Sequence, residues 1–121
     1  MEVLTKESLT QYSYINPPRI FLGRRAEIQE KYNKSSKETK EAFIKTVITK
    51  LLSNPYLIVE NDFPYNVEEG IKHLLLFSNN TTIFNTIRFM YGNKLITFWV
   101  NMPNNCSIKL VPHAHIFVEC D

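Results

Sequence analysis

A chain of 121 residues, 44% hydrophobic and 21% charged, can bury one core without disulfides or a structural metal, and is short for two domains. No apolar run approaches the roughly 18 residues of a membrane span, and Met1-Glu2-Val3-Leu4-Thr5-Lys6-Glu7 has acids where a secretory signal needs a basic end, so a cytoplasmic protein with no membrane association is expected. The net charge of +2 averages two unlike halves: residues 1–50 carry ten basic and six acidic side chains, residues 51–121 four and six. That density falls well short of a basic stripe, which argues against nucleic acid as the partner.

A single domain spanning 1–121 is expected, beginning with an irregular arm over 1–22 that Asn16-Pro17-Pro18 punctuates. A loosely patterned helix is predicted from Gly23 to about Tyr32. Ser35-Ser36-Lys37-Glu38 then reads as a capping box, with Ser35 accepting from the backbone N–H three residues on. Behind it Phe43, Ile44, Val47, Ile48, Leu51 and Leu52 recur at helical spacing, a stripe expected to be core, and Asn54-Pro55 stops the helix.

Beyond Pro55 the period becomes extended. Tyr56-Leu57-Ile58-Val59 predicts a short strand, Asn61-Asp62-Phe63-Pro64-Tyr65 a turn, and Asn66-Val67-Glu68-Glu69 a single helical turn ended by Gly70. His73-Leu74-Leu75-Leu76-Phe77 predicts a strand buried on both faces. Asn80 caps a helix that presents Ile83, Phe84, Ile87, Met90 and Tyr91, with Gly92 as its exit. Leu95 to Val100 and Ile108 to Val118 predict two further strands, antiparallel to each other. The expected fold is α+β: a small, mostly antiparallel sheet of about four strands with two to three helices packed on one face.

The chemistry-bearing residues concentrate in the second half. In a strand, His113 and His115 share a face about 7 Å apart, with Ala114 and Ile116 on the other, and two imidazoles there suit a metal pair, an acid–base pair or a nucleophile with its helper. The bland alternative is one satisfied core histidine and one exposed. His73 begins the buried strand and can approach the same region. Asp62, Glu60 and Cys106 are further ligand candidates, yet no stretch has a diagnostic metal spacing, so the metal question stays open and no cofactor is expected. The glycines are isolated, which excludes a Gly-rich phosphate loop, and Cys106 and Cys120 are expected to be reduced.

Two resemblances bear on function. Ser107 to Val118 resembles the histidine-triad hydrolase strand, with His115 matching the middle, nucleophilic histidine and Phe117 standing where the third belongs; this implies nucleotide hydrolysis as an alternative activity. A longer resemblance covers Leu52 to Val118. Asn61-Asp62-Phe63-Pro64-Tyr65, Gly70-Ile71, His73-Leu74-Leu75-Leu76-Phe77, Trp99 with Asn101 and Pro103, Ser107-Ile108 and His113-Ala114-His115-Ile116-Phe117 are similar to the N-acetylglucosamine-induced protein family of fungi, with relatives in other eukaryotes and large DNA viruses. A viral source also fits the abundance of Asn, Ile and Lys, residues with AT-rich codons.

The family resemblance marks Asn61, Asp62, Pro64, Tyr65, His73, Asn101, Ser107, His113 and His115 as signature positions, and implies no settled reaction. The expectation is a polar pocket in which His113, His115, Asp62 and His73 do acid–base work while Asn61, Tyr65, Asn101 and Ser107 bind a small polar or phosphorylated ligand. The competing expectation is a non-enzymatic module that engages a host or self protein partner through Arg24, Arg25 and the nearby lysines.

Overall fold

The computed structural model describes residues 3–18, 22–35, 37–62, 64–100 and 111–120. Its centre is an antiparallel sheet of β1 (Leu57–Glu60), β2 (Ile71–Phe77), β3 (Leu95–Val100) and β4 (His113–Glu119), ordered β1-β2-β4-β3. Around it lie α1 (Lys6–Leu9), α2 (Ala26–Lys34), α3 (Lys37–Leu51) and α4 (Ile87–Tyr91), the last entered through a 3-10 turn over Thr81–Thr86. The α+β class stands. Among the described residues no helix is long and apolar enough to cross a membrane.

The inner strands β2 and β4 are apolar on both faces, so the sheet is covered twice, where helices on one face were expected. One face carries Leu76, Phe98, Ala114 and Ile116 and packs against Phe84 and Ile87 of the 3-10 turn and α4. On the other face, α3 sets Val47, with Phe43 and Leu51, against Leu75 and Phe77. Beside it the arm sets Leu4, Leu9 and Leu22 against Trp99 and Phe117. The three histidines lie on this second face, at the seam between the two clusters: the His113 ring is 5.3 Å from that of Phe77, and His73 stacks 4.4 Å from Phe117.

Several local expectations are corrected. The arm contains a helical turn, α1, closed by a reciprocal cap in which Thr5 Oγ1 accepts from the Ser8 N–H and Ser8 Oγ from the Thr5 N–H. Ser35 does not cap α3; it ends α2, where its hydroxyl donates to the Lys31 carbonyl at 3.1 Å. The α3 stripe is only half core. Val47 is buried, whereas Ile48 and Leu52 are 42% and 84% exposed, because the helix meets the sheet along the narrow β1–β2 edge.

No helical turn forms at Asn66–Glu69. Asn66 Oδ1 accepts from Arg25 Nε at 3.1 Å, and Val67 bridges Leu4 in parallel, so the backbone there is held by the arm. Gly70 follows at φ +91, a conformation that disfavours a Cβ. The strand predicted from Ile108 begins at His113, and residues 108–110 lie outside the described residues.

Candidate functional site at the histidine seam

Sheet register determines which side chains meet. Phe77 pairs with His113, Leu75 with His115, and His73 with Phe117 across β2 and β4, while Trp99 of β3 pairs with His115. His113 and His115 therefore share a face as the period-2 reading requires, with ring centroids 5.6 Å apart. Their alternates Ala114 and Ile116 enter the opposite core. His73 reaches His115 diagonally: its Nε2 lies 2.7 Å from His115 Nδ1. The third imidazole thus comes from β2, since Phe117 fills its place on β4.

Residues on either side of the β1–β2 connection close on His73. The Asn61 N–H donates to the His73 carbonyl, extending the β1–β2 ladder. The Tyr65 backbone N–H donates to His73 Nδ1 at 3.2 Å, and the Asn61 side-chain amide donates to the same nitrogen at a longer 3.4 Å. The Tyr65 ring stacks on His115 with centroids 5.5 Å apart and planes 8° from parallel. Tyr65 is accordingly a wall over two imidazoles.

Burial sets the charge state. Desolvation, with the Arg24 guanidinium adding to it, lowers His73 from 6.5 to about 3. His115 is held well below the usual imidazole range by burial first, then by His73, His113 and Arg24. His113 is also lowered by burial, partly offset by the hydrogen bond it donates through Nδ1 to the Val111 carbonyl at 3.2 Å. All three are neutral near pH 7.

A cavity of about 290 Å³ opens between α2, α3 and the sheet. His113, His115, Leu75 and Val59 line its sheet side, Phe43 and Ile44 its α3 side, and Glu60, Asn61 and Asp62 one rim. Arg24, Tyr32, Ser35, Thr39 and Lys40 complete it. The Arg24 guanidinium and the Lys40 ammonium lie 4.4 Å and 4.3 Å from the Tyr32 ring centroid, which gathers two cations beside one aromatic ring.

Of the residues expected from sequence, Asn61, Asp62, His113 and His115 line this cavity. His73 stands behind His115, and Tyr65 covers both from the side. Asn101 and Ser107, with Cys106, fall outside the described residues. Among the described residues no group of three or more His, Cys, Asp or Glu is placed to hold a metal. Sequence reasoning missed Arg24, Tyr32, Thr39 and Lys40 as cavity walls; the surplus positive charge of the first half was the available signal.

No protein-family model matches the sequence, and no curated protein does. A solved structure described as "Crystal Structure of HTC1" is similar to this chain, with a TM-score of 0.62 and 22% identity over 83% of this chain and 77% of that one. That likeness is one of fold.

Proposed function

We propose that the chain belongs to the N-acetylglucosamine-induced family and that the cavity binds a small polar ligand bearing an anionic group, such as a phosphorylated metabolite. The lining carries this reading. Arg24 and Lys40 supply positive charge on one side, two neutral imidazoles, His113 and His115, sit on the sheet side beside the apolar Leu75 and Val59, and Phe43 and Ile44 face them from α3. A volume of about 290 Å³ lies at the small end of ligand pockets and suits a molecule of monosaccharide size. Membership is supported by the convergence of signature positions far apart in sequence: Asn61, Tyr65 and His115 all contact His73.

The same lining suits acid–base chemistry. With its Nδ1–H given to Val111, neutral His113 keeps a lone pair on Nε2 and can take a proton from a bound hydroxyl. The test is a titration with hexose phosphates, nucleoside monophosphates and inorganic phosphate, followed through the ring signals of the histidines. Saturable shifts of His113 and His115 that disappear in Arg24→Gln are expected. Ring signals unmoved by every probe at millimolar concentration would reject the reading.

A further inference from the structure

Helix α2 roofs the cavity without burying any of its own side chains. Ile28, Gln29 and Tyr32 are half-buried and the other six residues are exposed. Several of its polar groups turn back on the helix itself: Gln29 Nε2 donates to Asn33 Oδ1 at 3.0 Å, Lys34 pairs with Glu30 at 2.7 Å, and the Ser35 hydroxyl donates to the Lys31 carbonyl. At nine residues it is shorter than the roughly 12 an isolated helix needs, and it has no buried face to make up the difference. Segments of this kind open locally well before the core does.

Two hollows border the same helix. Toward α3 and the histidines, Arg24, Tyr32 and Ser35 line the cavity of about 290 Å³. Toward the start of β2, Arg25 and Ile28 share a second hollow of about 410 Å³ with Pro64, Val67 and Ile71. Protein interiors are close-packed, so a helix that borders open space at two places has room to shift.

The firm ties lie at its N-terminal end. Leu22 is buried in the cluster of Trp99 and Phe117, the Asn66 N–H donates to the Gly23 carbonyl at 3.0 Å, and Arg25 Nε donates to Asn66 Oδ1 at 3.1 Å. Toward the other end, the Tyr32 ring meets the exposed Lys40 ammonium of α3 at 4.3 Å, a contact that is weak at a solvated cation.

We propose that α2 is a lid, pivoting at Asn66 and closing Tyr32 and Ser35 onto a ligand in the cavity. The inference rests on the cavity reading above and supplies the way into that cavity. A ligand shifts such an equilibrium only as far as it favours one position over the other. Tyr32 and Ser35 travel with α2, whereas Phe43 and Ile44 belong to α3 and Val59 and Leu75 to the sheet. An occupant resting on the fixed residues therefore gains the α2 side of its contacts only when the lid is shut. Opening draws on the second hollow, which Ile28 borders.

Amide hydrogen exchange of the full chain at pH 7, alone and with saturating glucose 6-phosphate, tests the lid. In the free protein the amides of Gln29 to Ser35 should exchange at least a hundredfold faster than that of the buried Val47 in α3. Saturation should slow them tenfold or more and leave Val47 nearly unchanged. Equal protection of the two helices in the free protein overturns the lid. Binding that shifts the His113 ring signals but leaves α2 exchange as it was also overturns the lid, while the cavity reading stands. No binding of glucose 6-phosphate or inorganic phosphate overturns the cavity reading, and closure on a ligand with it.

A variant outside the cavity separates a lid from a merely frayed helix. Alanine raises helix propensity, so Ile28→Ala should slow exchange if α2 only frays. If Ile28 helps to seat a lid, the same change should speed α2 exchange threefold or more and weaken glucose 6-phosphate by a similar factor, with Val47 exchange unaltered. Slower α2 exchange with unchanged affinity overturns the proposal. Should Ile28→Ala fail to fold, Arg25→Gln decides through the pivot: α2 exchange no faster than in the parent overturns it.

Discussion

His73 and His115, 42 positions apart in sequence, join ring nitrogen to ring nitrogen at 2.7 Å inside the sheet face, at 3% and 5% exposure. Each satisfies a buried polar atom of the other, so removing one partner strands the second. His73→Leu or His115→Leu alone should cost about 1–3 kcal/mol, and the double variant less than the sum, because both polar atoms then leave together. Urea denaturation of the four proteins measures the coupling; strictly additive costs would show that the bond contributes nothing.

Acid should weaken the fold through the same residues. The folded protein holds His73 at about 3 against 6.5 when unfolded, and His113 and His115 shift in the same direction. Above pH 6.5 neither state binds these protons and stability is full. Between about pH 6.5 and 3 the unfolded chain takes up a proton that folded His73 refuses, so stability falls by about 1.4 kcal/mol per pH unit through His73, and His113 and His115 add to the loss in the same direction. Melting temperatures should decline steadily from pH 7 to 4, and less steeply in His73→Gln/His115→Gln; identical slopes would contradict this origin of acid sensitivity.

Ligand binding and stability should separate at His113. Gln at this position retains a polar side chain but lacks the imidazole lone pair, so His113→Gln should abolish binding or turnover of the phosphorylated probes with a melting shift of only a few degrees. A large loss of stability with binding intact would assign His113 to the core alone.

At the opposite wall, Arg24→Gln removes a cation that adds to the depression of His73 and His115. Its loss should weaken phosphate binding by about 10- to 100-fold, the range of a charged hydrogen bond, and raise the titration midpoint of His115. Calorimetry and NMR titration check the two effects separately. Unchanged affinity would remove Arg24 from the site.

The arm should behave as core. Leu9 is fully buried beside Trp99 and Phe117, so Leu9→Ala is expected to cost about 2–5 kcal/mol in thermal or urea unfolding. A cost below 1 kcal/mol would mark the arm as a loosely attached strap.

The strands and α3 were legible because their signals are local. Leu95–Val100 is β-branched and aromatic throughout, and the alternation of His113, Ala114, His115 and Ile116 sets their faces before any partner is known. What failed depends on partners far away in the chain. The exposure of Ile48 and Leu52 follows from how little sheet α3 has beneath it, and the turn expected at Asn66 yields to Arg25 and Leu4. The approach of His73 to His115 is expected from sequence, but their direct contact needs β2 beside β4, an adjacency that skips over β3 and that no spacing encodes. Arg24 and the nearby lysines read as a surface for a protein partner, and only the packing of α2 and α3 over the sheet makes Arg24 and Lys40 walls of a cavity.

The strand order has a consequence for how the chain comes to be folded. Among the described residues β3 pairs with β4 alone, and β4 comes after the other three strands in sequence although it lies in the sheet's interior. Until residues 113–119 are in place, β1 and β2 are held apart from β3, which lacks its described partner strand, and Trp99 lacks the strand it leans on. Assembly therefore waits on long-range closure, which is slow. The same final stretch delivers His113 and His115, so the cavity and the sheet are completed in one event.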